Sequence, residues 1–177
     1  HHDASGAILQ KYAKLDAQPG DSETDLSGKV LMPGLVSAHT HLAFTLGRGA
    51  PAAAAKPMTV ESLDKCWSRL DRALDLPTAE IASAAGALEA LLAGTTTVFD
   101  HHSSPSYVEG SLDAVQRGVD RVGLRSALCY ATSDRLGAGA TEAALAEAER
   151  YLKKLQDSPD ARHRAMVGAL SSESLDD

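Results

Sequence analysis

Lys29-Val-Leu-Met-Pro-Gly-Leu-Val-Ser-Ala-His-Thr-His41 is the stretch on which the fold turns. Pro33-Gly34 interrupts any helix and sets a turn, which delivers Leu35-Val-Ser-Ala38 into a buried strand. Side chains two apart on a strand share a face, so His39 and His41 project together at its C-terminal end while Thr40 turns away. Neutral imidazole suits zinc, iron, nickel and copper, and two rings on one face make a pair of metal ligands. On spacing alone the pattern is weak, and it also describes two unrelated strand-end histidines.

Working outward, residues 47–58 hold two glycines and two prolines and read as a long loop. Thr59 caps a helix over 59–76 that ends at Pro77, with Trp67 in the core at helical spacing from Leu63, Leu70 and Leu74. Thr78 caps a second helix with Ile81, Ala84, Ala85, Leu88, Leu91 and Leu92 inward and a stop at Gly94. Thr95-Thr-Thr-Val-Phe99 is β-branched and aromatic, hence a strand, and it delivers Asp100-His101-His102 at its C-terminal end. Val108, Leu112, Val115, Val119 and Val122 mark a helix face closed by Gly123. A strand over 124–131 follows, then a helix over 141–156 with Leu145, Ala148, Leu152 and Leu155 inward, then a strand over 164–170. His163, ahead of that strand at the opposite end from the other histidines, reads as a surface residue.

Strand and helix in strict alternation predict an α/β fold with parallel strands and right-handed crossovers. A complete eight-stranded barrel needs roughly 250 residues, and this chain has 177. At roughly 30 residues per unit, the stretch 39–177 holds about four strand-helix units. Alternation and length therefore fit one medium α/β domain or part of a larger one, but not a complete barrel; His1-His2 reads as a tag remnant.

Apolar residues make up 44% and charged residues 23% of the chain, which is enough for a core and a solvated surface. The formal charge of −7 and the lack of a clustered basic patch argue against a nucleic-acid partner. Lys153-Lys154 reads as a solvated helix face. No apolar run approaches the roughly 20 residues of a membrane span and no signal segment opens the chain, so a cytoplasmic protein with no membrane partner is expected. Cys66 and Cys129 are far apart and read as reduced core residues. No phosphate-cradling glycine loop and no Gly-x-Ser-x-Gly elbow is present.

The segment Asp25-Leu-Ser-Gly-Lys-Val-Leu-Met-Pro-Gly-Leu-Val-Ser-Ala-His-Thr-His41 resembles the entry into the metal-bearing barrel of the amidohydrolase superfamily, where a small β-sandwich hands the chain to the first barrel strand. Arg69-Leu-Asp-Arg-Ala-Leu74, Gly94-Thr-Thr-Thr-Val-Phe-Asp-His-His-Ser-Ser-Pro105 and Gly110-Ser-Leu112 resemble the aminohydrolase/chlorohydrolase branch, SsnA-like members above all. The resemblance runs over about residues 4–168 and covers less than half of such an enzyme; it implies an incomplete parallel (β/α) barrel of the TIM type, about four strand-helix units over 37–177, preceded by a short β-sandwich segment over 1–36. It implies that His39 and His41 are ligands of a divalent metal, zinc with iron as the alternative. It also implies that the remaining ligands, histidines after the fifth and sixth strands and an aspartate after the eighth, lie beyond Asp177. Relatives carry a histidine just after the fourth strand that approaches substrate; Leu170 stands in its place.

Asp100, His101 and His102 sit at the strand end where barrel sites gather. They read either as groups that orient a ligand histidine or touch a small-molecule substrate, or as strand-end caps. Arg48, in the loop after the metal pair, reads as a contact to an anionic or carbonyl substrate group or as an exposed loop arginine. What the resemblance implies is the N-terminal portion of a hydrolase that acts on non-peptide C–N or C–Cl bonds, such as deamination of a cyclic, nitrogen-rich substrate by metal-activated water. The alternative is a catalytically incomplete fragment that associates with itself as a homo-oligomer, or with a partner, to cover exposed strand edges. A small open-sheet α/β binding protein is a third reading, against which the entry segment weighs.

Overall fold

Among the described residues five strands pair side by side in the order β1 (Leu35–Thr40), β2 (Thr95–His102), β3 (Arg125–Thr132), β4 (His163–Ala165), with β5 (Gly168–Ala169) also on β3. Every pairing is parallel. The computed structural model describes residues 19–49 and 60–175, and the chain divides into two units, His1–Pro33 and Gly34–Asp177. In the first unit the described residues form turns at 19–20 and 27–28. The β-sandwich expected over 1–36 falls largely outside the described residues, as do the Thr59 cap and most of the 47–58 loop. In the second unit α1 (Val60–Ala73) and α2 (Leu76–Leu92) join β1 to β2, α3 (Ser111–Val122) joins β2 to β3, and α4 (Ala138–Asp157) joins β3 to β4. This is the alternating parallel α/β architecture, and among the described residues the sheet stays open, with β1 paired only to β2.

The core lies between β2–β3 and the helices behind them. Val98, Leu128 and Tyr130 of the sheet meet Leu112, Val115 and Val119 of α3 and Ala144 and Tyr151 of α4. Each fully buried Leu or Val contributes about 1.5–3 kcal/mol. Gly123, with φ of 86°, closes α3 in the left-handed conformation that costs glycine least.

Several expected details are corrected. Pro77 does not end α1; α1 ends at Ala73, and Pro77 occupies the first turn of α2, where a missing N–H costs nothing. The cap is Asp75, whose carboxylate accepts from the Thr78 N–H at 2.8 Å. The buried face of α2 is Ala79, Ala82, Ser83, Gly86 and Ala87, while Ile81, Leu88, Leu91 and Leu92 point outward. Small residues win the inner face because neighbouring backbones come very close: a Cβ on Gly86 would meet the Leu42 carbonyl oxygen at 2.7 Å. In α4, Leu145 and Leu152 are exposed and Ala144, Glu147, Ala148 and Tyr151 are buried. The single strand expected over 164–170 is two short strands.

His163 is not a surface residue. It is 1% exposed, with Nε2 2.9 Å from Asp120 Oδ1 on α3 and Nδ1 2.8 Å from Ser126 Oγ on β3. Because a carboxylate only accepts, Nε2–H donates to Asp120 and Nδ1 accepts from the Ser126 hydroxyl. The ring thus ties α3, β3 and β4 together at the end of the sheet away from His39.

Two further links fix the helices. Gly118 of α3 lies against α2, where a Cβ would collide with the Glu80 carbonyl oxygen and come within 2.8 Å of Ala84 N. Gly118→Val is expected to cost about 1–3 kcal/mol by overpacking, read as a lowered melting temperature. The N-terminus of α3 has no side-chain cap of its own, since its N-cap is Gly110. Glu147 of α4 supplies the acceptors instead, taking the N–H groups of Gly110 and Leu112 at 3.0 Å each and pairing with Arg150 at 2.7 Å. Glu147→Ala leaves those donors and the guanidinium without their carboxylate and is expected to destabilise by about 3 kcal/mol, seen as a lower urea midpoint, with Glu147→Gln losing less.

Candidate metal centre

His39 and His41 do come together. Their Nε2 atoms are 3.2 Å apart and the ring planes stand at 85°. The pairing of β1 with β2 slips between Ser37 and Thr40, an irregularity of the kind that re-aims side chains beside active sites. His41 lies just past the strand and opens a 3-10 turn, Leu42–Gly47.

Two residues of β2 hold His41. Its Nδ1 lies 2.7 Å from the backbone carbonyl oxygen of His101, so Nδ1–H donates and Nε2 is left as a bare lone pair facing His39. Asp100 Oδ1 accepts the N–H of Leu42, the next residue, at 2.6 Å. The His101 ring packs on His39 with centroids 4.5 Å apart. His102 turns to the other side of the strand, 1% exposed, with Nε2 3.0 Å from Ser104 Oγ.

Burial sets the charges. It lowers the His41 pKa, a trend the hydrogen bond to His101 opposes and the nearby His39 reinforces. It also lowers His101, with help from both neighbouring histidines, and takes His102 down to about 4. Imidazoles kept neutral are imidazoles free to bind a metal. Asp100 moves the other way, up to about 7, because it is fully buried and only the Leu42 N–H favours its charge. Its second oxygen has no hydrogen-bond partner among the described residues.

The donor set fits part of a metal site. With zinc–nitrogen bonds of about 2.0–2.1 Å, two nitrogens of a tetrahedron are about 3.3 Å apart, close to the 3.2 Å of the His39/His41 pair. The Nδ1–H···O=C bond at His41 is the outer contact that fixes the tautomer of metal-bound histidines. Among the described residues no group of three His, Cys, Asp or Glu is placed to hold a metal ion, so the pair supplies two donors.

Beside the pair opens a cavity of about 520 Å³, lined in part by His39, His41, Phe44, Trp67, Val108, Tyr130, Leu136 and Leu170. Trp67, expected in the core, is instead half exposed on this wall, stacked on Phe44 with centroids 5.7 Å apart and planes at 20°. The helical spacing from Leu70 and Leu74 is real, but that face of α1 borders the cavity rather than packed protein. Nothing in the local sequence pattern marks Phe44 or Tyr130 as cavity residues, although Phe44 follows His41 by one turn. Leu170 does line the cavity. Arg48 does not; its guanidinium binds the Glu89 carboxylate of α2 at 2.6 and 2.9 Å.

Residues 30–173 match the amidohydrolase family. The chain belongs to that family. It is 32% identical over 152 residues to the 5'-deoxyadenosine deaminase of Methanothermobacter thermautotrophicus, covering 85% of this chain and 33% of that enzyme. It is 34% identical over 149 residues to the 5-methylthioadenosine/S-adenosylhomocysteine deaminase of Desulforudis audaxviator, covering 84% and 32%. Among solved amidohydrolase-type folds, the atrazine chlorohydrolase of Arthrobacter aurescens TC1, crystallised with zinc, superposes with a TM-score of 0.57 at 21% identity, over 77% of this chain and 34% of that one. The chain spans about a third of the length of the curated relatives it matches. The open parallel sheet has the fold of the corresponding part of that solved chain.

Proposed function

We propose that the chain is the N-terminal portion of a metal-dependent amidohydrolase that replaces an amino or chloro substituent on a cyclic, nitrogen-rich small molecule. The observation that carries this is the convergence of the His39 and His41 Nε2 atoms at 3.2 Å, with the opposite nitrogen of His41 bonded to the His101 carbonyl oxygen. A divalent cation, zinc before iron, supplies Lewis acidity and acidifies water when bound at such a pair. His39 and His41 hold it, the His101 carbonyl sets the His41 tautomer, and Asp100 positions the backbone behind His41 through Leu42. The deaminase relatives and the chlorohydrolase-like fold support the reaction class. Two free cysteines suit a reducing compartment, the cytoplasm. No helix among the described residues is long and apolar enough to cross a membrane.

Zinc titration of the chain by calorimetry tests the site: one equivalent bound with micromolar affinity and released by chelator is expected, and no uptake would overturn the assignment. For the reaction, a full-length homologue carrying this segment is expected to release ammonia from aminopurines or chloride from chlorotriazines.

A second reading is favoured by the edge of β1 and the outward Ile81, Leu88 and Leu92 of α2. Both invite a covering chain, and a homo-oligomer is expected to appear as a mass above 18.5 kDa in light scattering.

A further inference from the structure

The chain is poor in aromatic residues, which make up 4% of it, with two phenylalanines and one tryptophan. One of those phenylalanines and the sole tryptophan stand face to face on the cavity wall, and they continue a row of rings that begins at the candidate metal pair. His41 and Phe44 have centroids 5.1 Å apart with planes at 32°; Phe44 and Trp67 follow at 5.7 Å and 20°. A tryptophan left 50% exposed forgoes much of the largest burial gain any side chain offers. Its flat, wet face beside a concave space is the arrangement that receives another flat ring. The rest of the lining mixes the apolar Val108, Leu136, Ala143 and Leu170 with the charged Asp71, Arg72 and Arg135.

From this we infer that Phe44 and Trp67 determine ring specificity: they stack a planar heteroaromatic ring beside His39 and His41, and the apolar lining that includes Leu170 takes an uncharged alkyl-type substituent carried by that ring. The inference rests on the ring-substrate reading above and adds the residues that would recognise the ring. Phe44 acts here through stacking and exchanges no proton with the substrate.

The test uses the fluorescence of Trp67, which no other tryptophan in the chain obscures. The whole chain, with metal removed by chelator, is titrated with 9-butyladenine, with adenine, and with butylurea as a probe that has the alkyl group but no ring. Saturable quenching by both purines, tighter for 9-butyladenine, and none by butylurea is expected. Phe44→Ala, and Phe44→Leu as a variant that keeps apolar volume without a ring face, are expected to weaken purine binding at least fivefold, with folding checked by circular dichroism. Leu170→Glu is expected to remove the advantage of 9-butyladenine over adenine. Absence of saturable quenching by the purines, or unchanged affinity in folded Phe44→Leu, would overturn the assignment. Because the titration contains no metal, zinc uptake without purine quenching sinks the ring wall alone, and quenching without zinc uptake sinks the metal reading alone.

Discussion

His41→Ala is expected to lower the zinc affinity of the chain by at least tenfold, and His39→Ala by a similar factor. Loss of an outer hydrogen-bond partner alone costs a metal site about 10–100-fold, and here one of two donors disappears. The 3.2 Å separation of the Nε2 atoms leaves no neighbouring group to take over, since no third His, Cys, Asp or Glu is placed to join them among the described residues. Asp100→Ala touches neither ring, yet it removes the acceptor of the Leu42 N–H and so loosens the chain directly after His41. A smaller loss of affinity is expected there. The three variants are compared by calorimetry near neutral pH, and zinc binding by His41→Ala at unchanged affinity would remove His41 from the site.

The second large effect is hidden in the native chain and exposed by mutation. Asp100 ionises near 4 in an unfolded chain and near 7 in the fold, so between those values the fold keeps a proton that the unfolded chain has lost. Its contribution to stability is therefore greatest at low pH and falls as pH rises from about 4 to about 7. His102 runs oppositely: it is charged below about 6.5 when unfolded and stays neutral in the fold down to about 4. Its contribution is full above about pH 6.5 and is lost as pH falls towards 4. Over pH 4–6.5 the two nearly cancel, and folding moves little net proton at these two groups. Relative to the native chain, metal-free Asp100→Asn is expected to gain stability with rising pH across that window by an amount of the order of 3 kcal/mol, because the Asp100 share is gone. His102→Gln is expected to change in the opposite direction relative to the native chain, again of the order of 3 kcal/mol, because the His102 share is gone. Urea unfolding of all three proteins at a series of pH values reads the changes, and two variants whose slopes shift in the same direction from the native chain would refute the pairing.

Much of the fold was legible because its signals are local. Thr95-Thr-Thr-Val-Phe99 and the Val/Leu spacing of α3 declare a strand and a helix without reference to anything distant; the strand stands where the pattern put it, and the helix does so from Ser111, with Val108 left in the turn before it. The convergence of His39 and His41 followed from the two-residue period of a strand. What misled was the assumption that the largest apolar residues face inward. In α2 the inward positions are small because the Leu42 backbone approaches closely, and in α1 Trp67 faces a cavity. The burial of His163 was illegible for a different reason: its partners Asp120 and Ser126 are remote in sequence and meet it only once β3 and β4 pair. The strand-end position of Asp100 and His101 makes them candidates to orient a ligand histidine. The part that bonds His41 is the His101 backbone carbonyl, which no side-chain motif announces.

The hydrogen bonds that fix the His41 ring and the residue after it run, among the described residues, to Asp100 and His101 of β2. These links need β2 docked on β1, while β3 backs the same stretch of β2 through its own pairing. In order of assembly, the metal-facing pair is among the first tertiary features the growing chain can make.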